Sequence, residues 1–278
     1  MKRLDRVPLA CAAFLALVAL FVFVGPLVAA ACGVDGVSQD ARLGAAPPSW
    51  HHWLGTDVLG RDLLVRTMDG GRIALTIGVL AALIAVAIGV SWGAVAGFAG
   101  GAVDDVLMRA VDVLYALPTL VFVIVLRAVL ATTSDAALLV LLGGISWLTL
   151  ARIVRGQVLS LRRREFVDAA RALGASPTRV LVRHVVPNAL GPIVVYATLL
   201  VPQTMLYEAF LSFLGLGVQP PRASWGSLIL EGSQQIVAYP WILAGPGAIM
   251  ALTIFALNFL GDGLRDALHG QGVGPAKS

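Results

Sequence analysis

Charge is scarce in this chain. Only 13% of its 278 residues are Asp, Glu, Lys or Arg, while 58% are hydrophobic. A soluble domain carries about 25% charged residues, so the composition excludes a water-soluble globule and implies a protein that crosses a membrane several times. Lysine is nearly absent: Lys2 and Lys277 are the only two, and neither follows glycine. A phosphate-cradling loop needs Gly-Lys-Ser/Thr, so no ATP site of that kind is encoded. Cys11 and Cys32, inside and just after the first apolar run, make neither a disulfide framework nor a metal site. Four histidines, two of them adjacent at His51-His52, argue against structural zinc.

The charge that is present is concentrated. Eight of the 20 Lys/Arg residues (Arg152, Arg155, Arg162, Arg163, Arg164, Arg171, Arg179, Arg183) lie in or beside one polar segment. That segment holds a single aromatic, Phe166, and is flanked by apolar runs, so nucleic acid is not the expected partner. The excess of arginine places it on the cytoplasmic side.

Taken in order, Lys2, Arg3 and Arg6 precede an apolar run from Pro8 to Cys32. Ala29-Ala30-Ala31 imitates a signal cleavage site. However, 25 uncharged residues exceed the usual leader core and suffice to cross a bilayer. An uncleaved first span with its N-terminus inside is expected. Further spans are read at 73–98, from about Arg109 to Leu130 with a kink at Pro118, at 136–151, at 189–218 and at 236–261. Six helical spans place both termini in the cytoplasm; every span is long enough only for helix, not for a barrel strand. The expected divisions are residues 1–32, N-terminal tail and first span; 33–72, a periplasmic segment; 73–268, a core of five spans; and 269–278, a cytoplasmic tail. Within the second span Ala81, Ala85, Gly89, Gly93, Gly97 and Gly101 recur every four residues, a small-residue stripe that lets another helix come close.

Isolated polar features have competing readings. Gly89-Val90-Ser91-Trp92-Gly93 satisfies G-x-S-x-G, but a nucleophile there needs a strand–turn–helix and a histidine base, and this run is helical without histidine. Asp57 and Asp62 are read as turn and cap residues rather than metal ligands. Glu208 is the most costly side chain in any span. It is either a contact to a cationic substrate, a gate element or a structural hydrogen bond. Arg127 is expected to snorkel at the outer end of its span or to touch substrate. Arg127, Gln203 and Glu208 are the candidates for lining a translocation path.

The polar segment, Leu161 to Leu190, reads as two short helices. Glu165 to Leu173 carries Phe166, Ala169, Ala170 and Leu173 on one face, and Gly174 ends it in a left-handed conformation. Ser176-Pro177 starts the second helix, which runs to Pro187. Such a basic hairpin between spans suits docking of a soluble partner.

The residues of this hairpin also resemble a known family. Asp168-Ala169-Ala170, Gly174 and Pro187 are similar to the EAA loop of ATP-binding-cassette importer permeases, with Asp168 in place of the usual Glu. Three other stretches are similar to the dipeptide, oligopeptide and nickel group of that family. They are Gly55-Thr56-Asp57 with Gly60-Arg61-Asp62, Ser212 to Pro221 with Ser224-Trp225-Gly226, and Asn258 to Leu268. The resemblance implies an all-α, six-span type I importer fold with a cytoplasmic coupling helix at 161–190, in a bacterial inner membrane. Arg164, Glu165, Phe166, Asp168, Ala169, Ala170, Leu173, Gly174 and Pro187 would form the ATPase-docking surface. It implies as partners a second, homologous permease, two ATP-binding-cassette subunits holding the ATP and magnesium, an extracytoplasmic solute-binding protein and membrane lipid. The chain itself would be a transport subunit without a cofactor or a metal. Its cargo would be di- or oligopeptides, with nickel or glutathione as the alternative. Outside this family, a secondary transporter or channel would work without an ATPase partner and would more often carry intramembrane acids.

Overall fold

In the computed structural model, residues 6–130 and 134–270 are described; Lys2, Arg3, Lys277 and the expected tail beyond Gly270 lie outside them. The described residues are helical throughout, apart from loops and one isolated bridge between Thr56 and Asp62. Helices α1 (Arg6–Phe23) and α2 (Gly25–Ala31) make the first crossing, with Pro26 in the first turn of α2. Helix α3 (Leu63–Ala99) begins ten residues before the predicted span. The Asp62 carboxylate accepts from the Val65 amide at 3.0 Å and caps it. Hydropathy missed this outer turn because Arg66, Asp69 and Arg72 lie in it, paired rather than lipid-facing.

After Gly100, at φ +68°, α4 (Gly101–Tyr115) and α5 (Thr119–Leu130) follow. The pair is bent by 82° where Pro118 was expected to kink it; proline disfavours helical backbone at Leu117. Helix α6 (Asp135–Leu161) extends ten residues past the predicted end of its span. Its last turns carry Arg152 and Arg155, which end a hydropathy run but not a helix. Arg155 grips Asp104 of α4 with two hydrogen bonds at 2.5 and 2.7 Å, and Arg152 reaches Asp112 at 2.8 Å.

Helices α3 and α6 are the most extensively packed pair. A Cβ on Gly143 would meet Ala81 and Ile84. Further along, Gly89 lies against Leu150, Gly93 against Val154 and Gly97 against Val158. Both numbers rise together, so the two helices run parallel. The intervening chain must therefore recross the membrane, and α4–α5 is that crossing. The small-residue stripe is the seam of this pair from Ala81 to Gly97, whereas Gly101 stands outside it with nothing near. Lipid supplies no hydrophobic force between helices, so this close backbone approach is what holds them.

A short hairpin, α7 (Glu165–Ala172) and α8 (Pro177–Val180), leads through a wide π-turn (Leu181–Val185) and α9 (Val186–Asn188) into α10 (Leu190–Phe213). Pro187 does not stop the helix as predicted. The π-turn draws the preceding carbonyls away from its ring, and Asn188 Nδ2 donates to the His184 carbonyl at 2.6 Å. Helix α11 (Trp225–Gln234), unforeseen in the sequence, opens with a Ser224–Ser227 capping box, and α12 (Trp241–Gly270) closes the chain. In α12, Gly261 admits Leu199 of α10 and Gly263 admits Pro8 of α1. The start of α1, the hairpin and the end of α12 thus share one end of the molecule.

Candidate functional site

The hairpin is anchored from beneath. Val167 and Ala170 of α7, with Val180 and Val185 beyond the turn, are buried in the same apolar cluster as Val154 and Val158 of α6. Glu165 and Asp168 lie in the first turn of α7 and Arg171 in its last, each favouring the helix dipole. Gly174, at φ +82°, ends the helix as predicted. Its amide donates to the Arg171 carbonyl at 2.9 Å and the Ala175 amide to the Ala170 carbonyl at 3.1 Å, the paired bonds of a Schellman turn.

This anchoring splits the predicted docking face. Phe166, Ala169 and Leu173 point outward, Leu173 with 89% of its surface exposed, but Ala170 turns inward beside Val167. The eight-residue helix has apolar residues on two sides, and periodicity alone did not tell which side the aliphatic Val167 would claim. Arg164, Glu165, Asp168 and Pro187 are exposed around the outer face. Arg162 is not part of that surface. Its Nη1 donates to the carbonyls of Gly97 and Phe98 at 3.0 and 3.2 Å, which fastens the start of the hairpin to the end of α3.

At the opposite end, residues 55–62 form a clasp, in which Asp57 closes a turn and Asp62 caps α3 as expected. Asp57 is almost fully buried and accepts from the Leu59 and Arg61 amides, from Arg61 Nε at 2.6 Å and from Arg66 Nη1. Arg66 in turn holds Glu231 of α11 at 2.6 and 2.9 Å. Asp62 pairs with His52 Nδ1 at 2.8 Å while capping α3. Gly55 and Gly60 both take positive φ, with the Ala46 and Asp40 carbonyls against them. Trp241 donates to the Thr56 carbonyl at 3.2 Å, so the clasp ties the outer loop to α3, α11 and α12.

The three path candidates separate. Arg127 is 4% exposed and donates from Nη2 to the Gly217 carbonyl at 3.0 Å, so it does not snorkel. Glu208 is fully buried and accepts from the Ser212 hydroxyl at 2.7 Å. Ser212 also accepts from the Val218 amide and from Ser224. Arg127 Nη1 and Glu208 Oε2 have no hydrogen-bond partner among the described residues. Together they pin the 214–224 return loop to α5 and α10, with Gly217 against Ser212. Gln203 alone is exposed, donating to the Tyr207 hydroxyl at 2.9 Å, beside a polar recess between α6 and α10. Ser91 donates to the Ala87 carbonyl at 2.7 Å, a bond within its own helix, as expected of a structural serine. An apolar groove of about 570 Å³ lies between the first crossing and α3, reaching Asp62 of the clasp but none of Arg127, Gln203 and Glu208.

Comparison with known proteins bears on the whole chain. Residues 89–270 match the model of a family described as binding-protein-dependent transport system inner membrane component. The oligopeptide transport system permease protein of Bacillus subtilis is 49% identical over 222 residues, 80% of this chain and 72% of its own length. That of Escherichia coli K12 is 46% identical over 265 residues, covering 95% and 87%. The dipeptide transport system permease protein of B. subtilis is 44% identical over 270 residues, covering 96% and 83%. Among solved structures, an inward-facing MetNI methionine ABC transporter chain superimposes with a TM-score of 0.59 at 18% identity. The match spans 74% of this chain and 96% of that one. The fold is that of an importer permease.

Proposed function

Because the chain belongs to the family of binding-protein-dependent transport system inner membrane components, we propose that it is one of two permease subunits of an ATP-driven importer of di- and oligopeptides. It forms half of the path across a bacterial inner membrane. A homologous permease stands beside it, two ATPase subunits dock below and a solute-binding protein delivers cargo from outside. The single observation that carries this reading is the hairpin at 165–188. It presents Phe166, Ala169 and Leu173 to the aqueous side on a base continuous with the spans. Apolar residues exposed together and rimmed by charged ones, as Arg164, Glu165 and Asp168 rim these, are the kind of surface that marks a protein contact.

The arginines of the hairpin support a cytoplasmic position for this end, and with it for the start of α1 and the end of α12. ATP-driven closure of the cassettes pushes on the outer face of α7. Force passes to α6 through Val167 and the chain itself, and to α3 through Arg162. The α3–α6 seam, without room for a side chain at Gly93, moves as one body, so the response is rocking rather than bending. ATP and magnesium stay with the cassettes; the permease supplies shape and leverage. Uptake of a tripeptide into proteoliposomes holding the reconstituted complex is the test. Uptake that depends on ATP and on the binding protein supports the reading, and uptake without an ATPase subunit would replace it with a secondary transporter.

A further inference from the structure

Six neutral hydrogen-bonding side chains converge at mid-depth in a chain that is otherwise sparing with polar groups. Tyr115 and Thr119 flank the 82° break between α4 and α5, Ser146 and Thr149 lie mid-way along α6, and Gln203, with Tyr207 one turn further on, lies near the middle of α10. All six line one recess of about 90 Å³. Its floor is apolar, made by Ile145 and Leu148, which are buried. The spacings are those of helix neighbours, i,i+3 on α6 and i,i+4 on α10, so each pair faces the recess from one side.

The chemistry of the lining is specific. None of the six carries a charge, and each offers both a donor and an acceptor. Some of that capacity is committed: Ser146 donates to the Leu142 carbonyl at 2.7 Å and Gln203 donates to Tyr207. Among the described residues the Gln203 carbonyl oxygen and the Tyr207 hydroxyl proton remain available. Gln203 is exposed and Tyr115 is 49% exposed. Hydrocarbon satisfies no hydrogen bond, so polar groups exposed at this depth face water, another subunit or cargo.

We propose that this recess is a contact site for main-chain amide groups of the peptide in transit, a proposal that rests on the peptide-import reading above. A peptide bond presents one N–H and one C=O whatever its side chains are, and the recess has room for one amide group or a few water molecules. An uncharged set of donors and acceptors holds that group without selecting side-chain charge, so it suits cargo of varied sequence. The 82° break matters here because it turns Tyr115 and Thr119 toward α6 and α10 at one level.

The test uses the complete complex in proteoliposomes, with trialanine and its analogue N-methylated at the central amide. The Gln203→Leu/Tyr207→Phe variant is expected to take up trialanine roughly three- to tenfold more slowly per hydrogen bond removed. Binding-protein-stimulated ATP hydrolysis should be unchanged. The N-methylated analogue should be slowed in wild type and little further in the variant. If that variant fails to assemble, Ser146→Cys in a Cys11→Ser/Cys32→Ser background decides. Its thiol should react with a polar maleimide and be protected by trialanine. An inert thiol would mean that the partner subunit fills the recess, and labelling without protection would mean water alone; either overturns the proposal. Variant uptake equal to wild type overturns the amide site while the import reading stands. A wild-type complex that hydrolyses ATP but takes up no peptide overturns both.

Discussion

Arg66 and Glu231 lie 165 residues apart in sequence and meet in a two-point ion pair at 2.6 and 2.9 Å. The same guanidinium also binds Asp57, so one buried arginine joins the outer loop, α3 and α11. The Arg66 side chain is 3% exposed and that of Asp57 2%, whereas the Glu231 side chain is 36% exposed. The two halves of the pair therefore differ in weight. Removing a buried partner leaves an uncompensated charge, while loosening a partly solvated carboxylate leaves little behind.

Arg66→Ala is expected to destabilise the subunit by roughly 3 kcal/mol, since Asp57 keeps only Arg61 as a charged partner. Glu231→Gln is expected to cost less than about 1 kcal/mol. Thermal unfolding of the detergent-solubilised complex, followed by size-exclusion fluorescence, measures both. Equal loss in the two variants would show that Asp57 is not the group that Arg66 serves.

Gly93 and Gly144 provide a second contrast. A Cβ at Gly93 would lie 2.9 Å from the Val154 Cβ and would also meet the Ala151 backbone, whereas one at Gly144 would meet nothing within 4 Å. Gly93→Ala is expected to force α3 and α6 apart at a cost of about 1–3 kcal/mol. Gly144→Ala should be neutral or slightly stabilising. The same melting assay distinguishes them, and a tolerated Gly93→Ala would mean that the seam is not close-packed.

The three successive arginines should not behave alike. Arg162 caps the end of α3, but Arg163 and Arg164 are exposed. Arg162→Glu places a carboxylate against two carbonyl oxygens and is expected to lower the yield of folded subunit. Arg163→Glu with Arg164→Glu should leave folding and insertion intact while weakening ATPase binding. Yield after membrane extraction and ATPase co-purification, measured on the same preparations, separate the two effects.

Much of this architecture was legible in the residues. Long uncharged runs gave the crossings, and the four-residue recurrence from Ala81 to Gly97 gave the helix seam, because both depend on local composition. Gly174 was legible as a stop because its left-handed turn is a local property. The features that were missed depend on partners distant in sequence. Helix α3 starts early because Arg66 finds Asp57 and Glu231, and α6 runs long because Arg155 finds Asp104; hydropathy counts those charges as breaks. Arg127 was expected at the surface, since nothing nearby announces the Gly217 carbonyl. The recess beside Gln203 draws on four helices, and neither Thr149 nor Tyr115 stands out alone. On α7 the sequence suggested one apolar face, and only the packing beneath it assigned Ala170 inward and Leu173 outward.

The central claim is that the outer face of α7 carries ATPase motion into the spans, and Leu173→Asp tests it most directly. Leu173 is 89% exposed and leaves no cavity when replaced, so folding, insertion and pairing with the second permease should survive. The decisive measurement is peptide uptake together with ATPase co-purification for Leu173→Asp against wild type. Loss of the ATPase, or ATP hydrolysis that no longer drives uptake, in a normally inserted complex is the predicted result. Full ATPase retention with wild-type uptake would contradict the account and move the docking surface elsewhere.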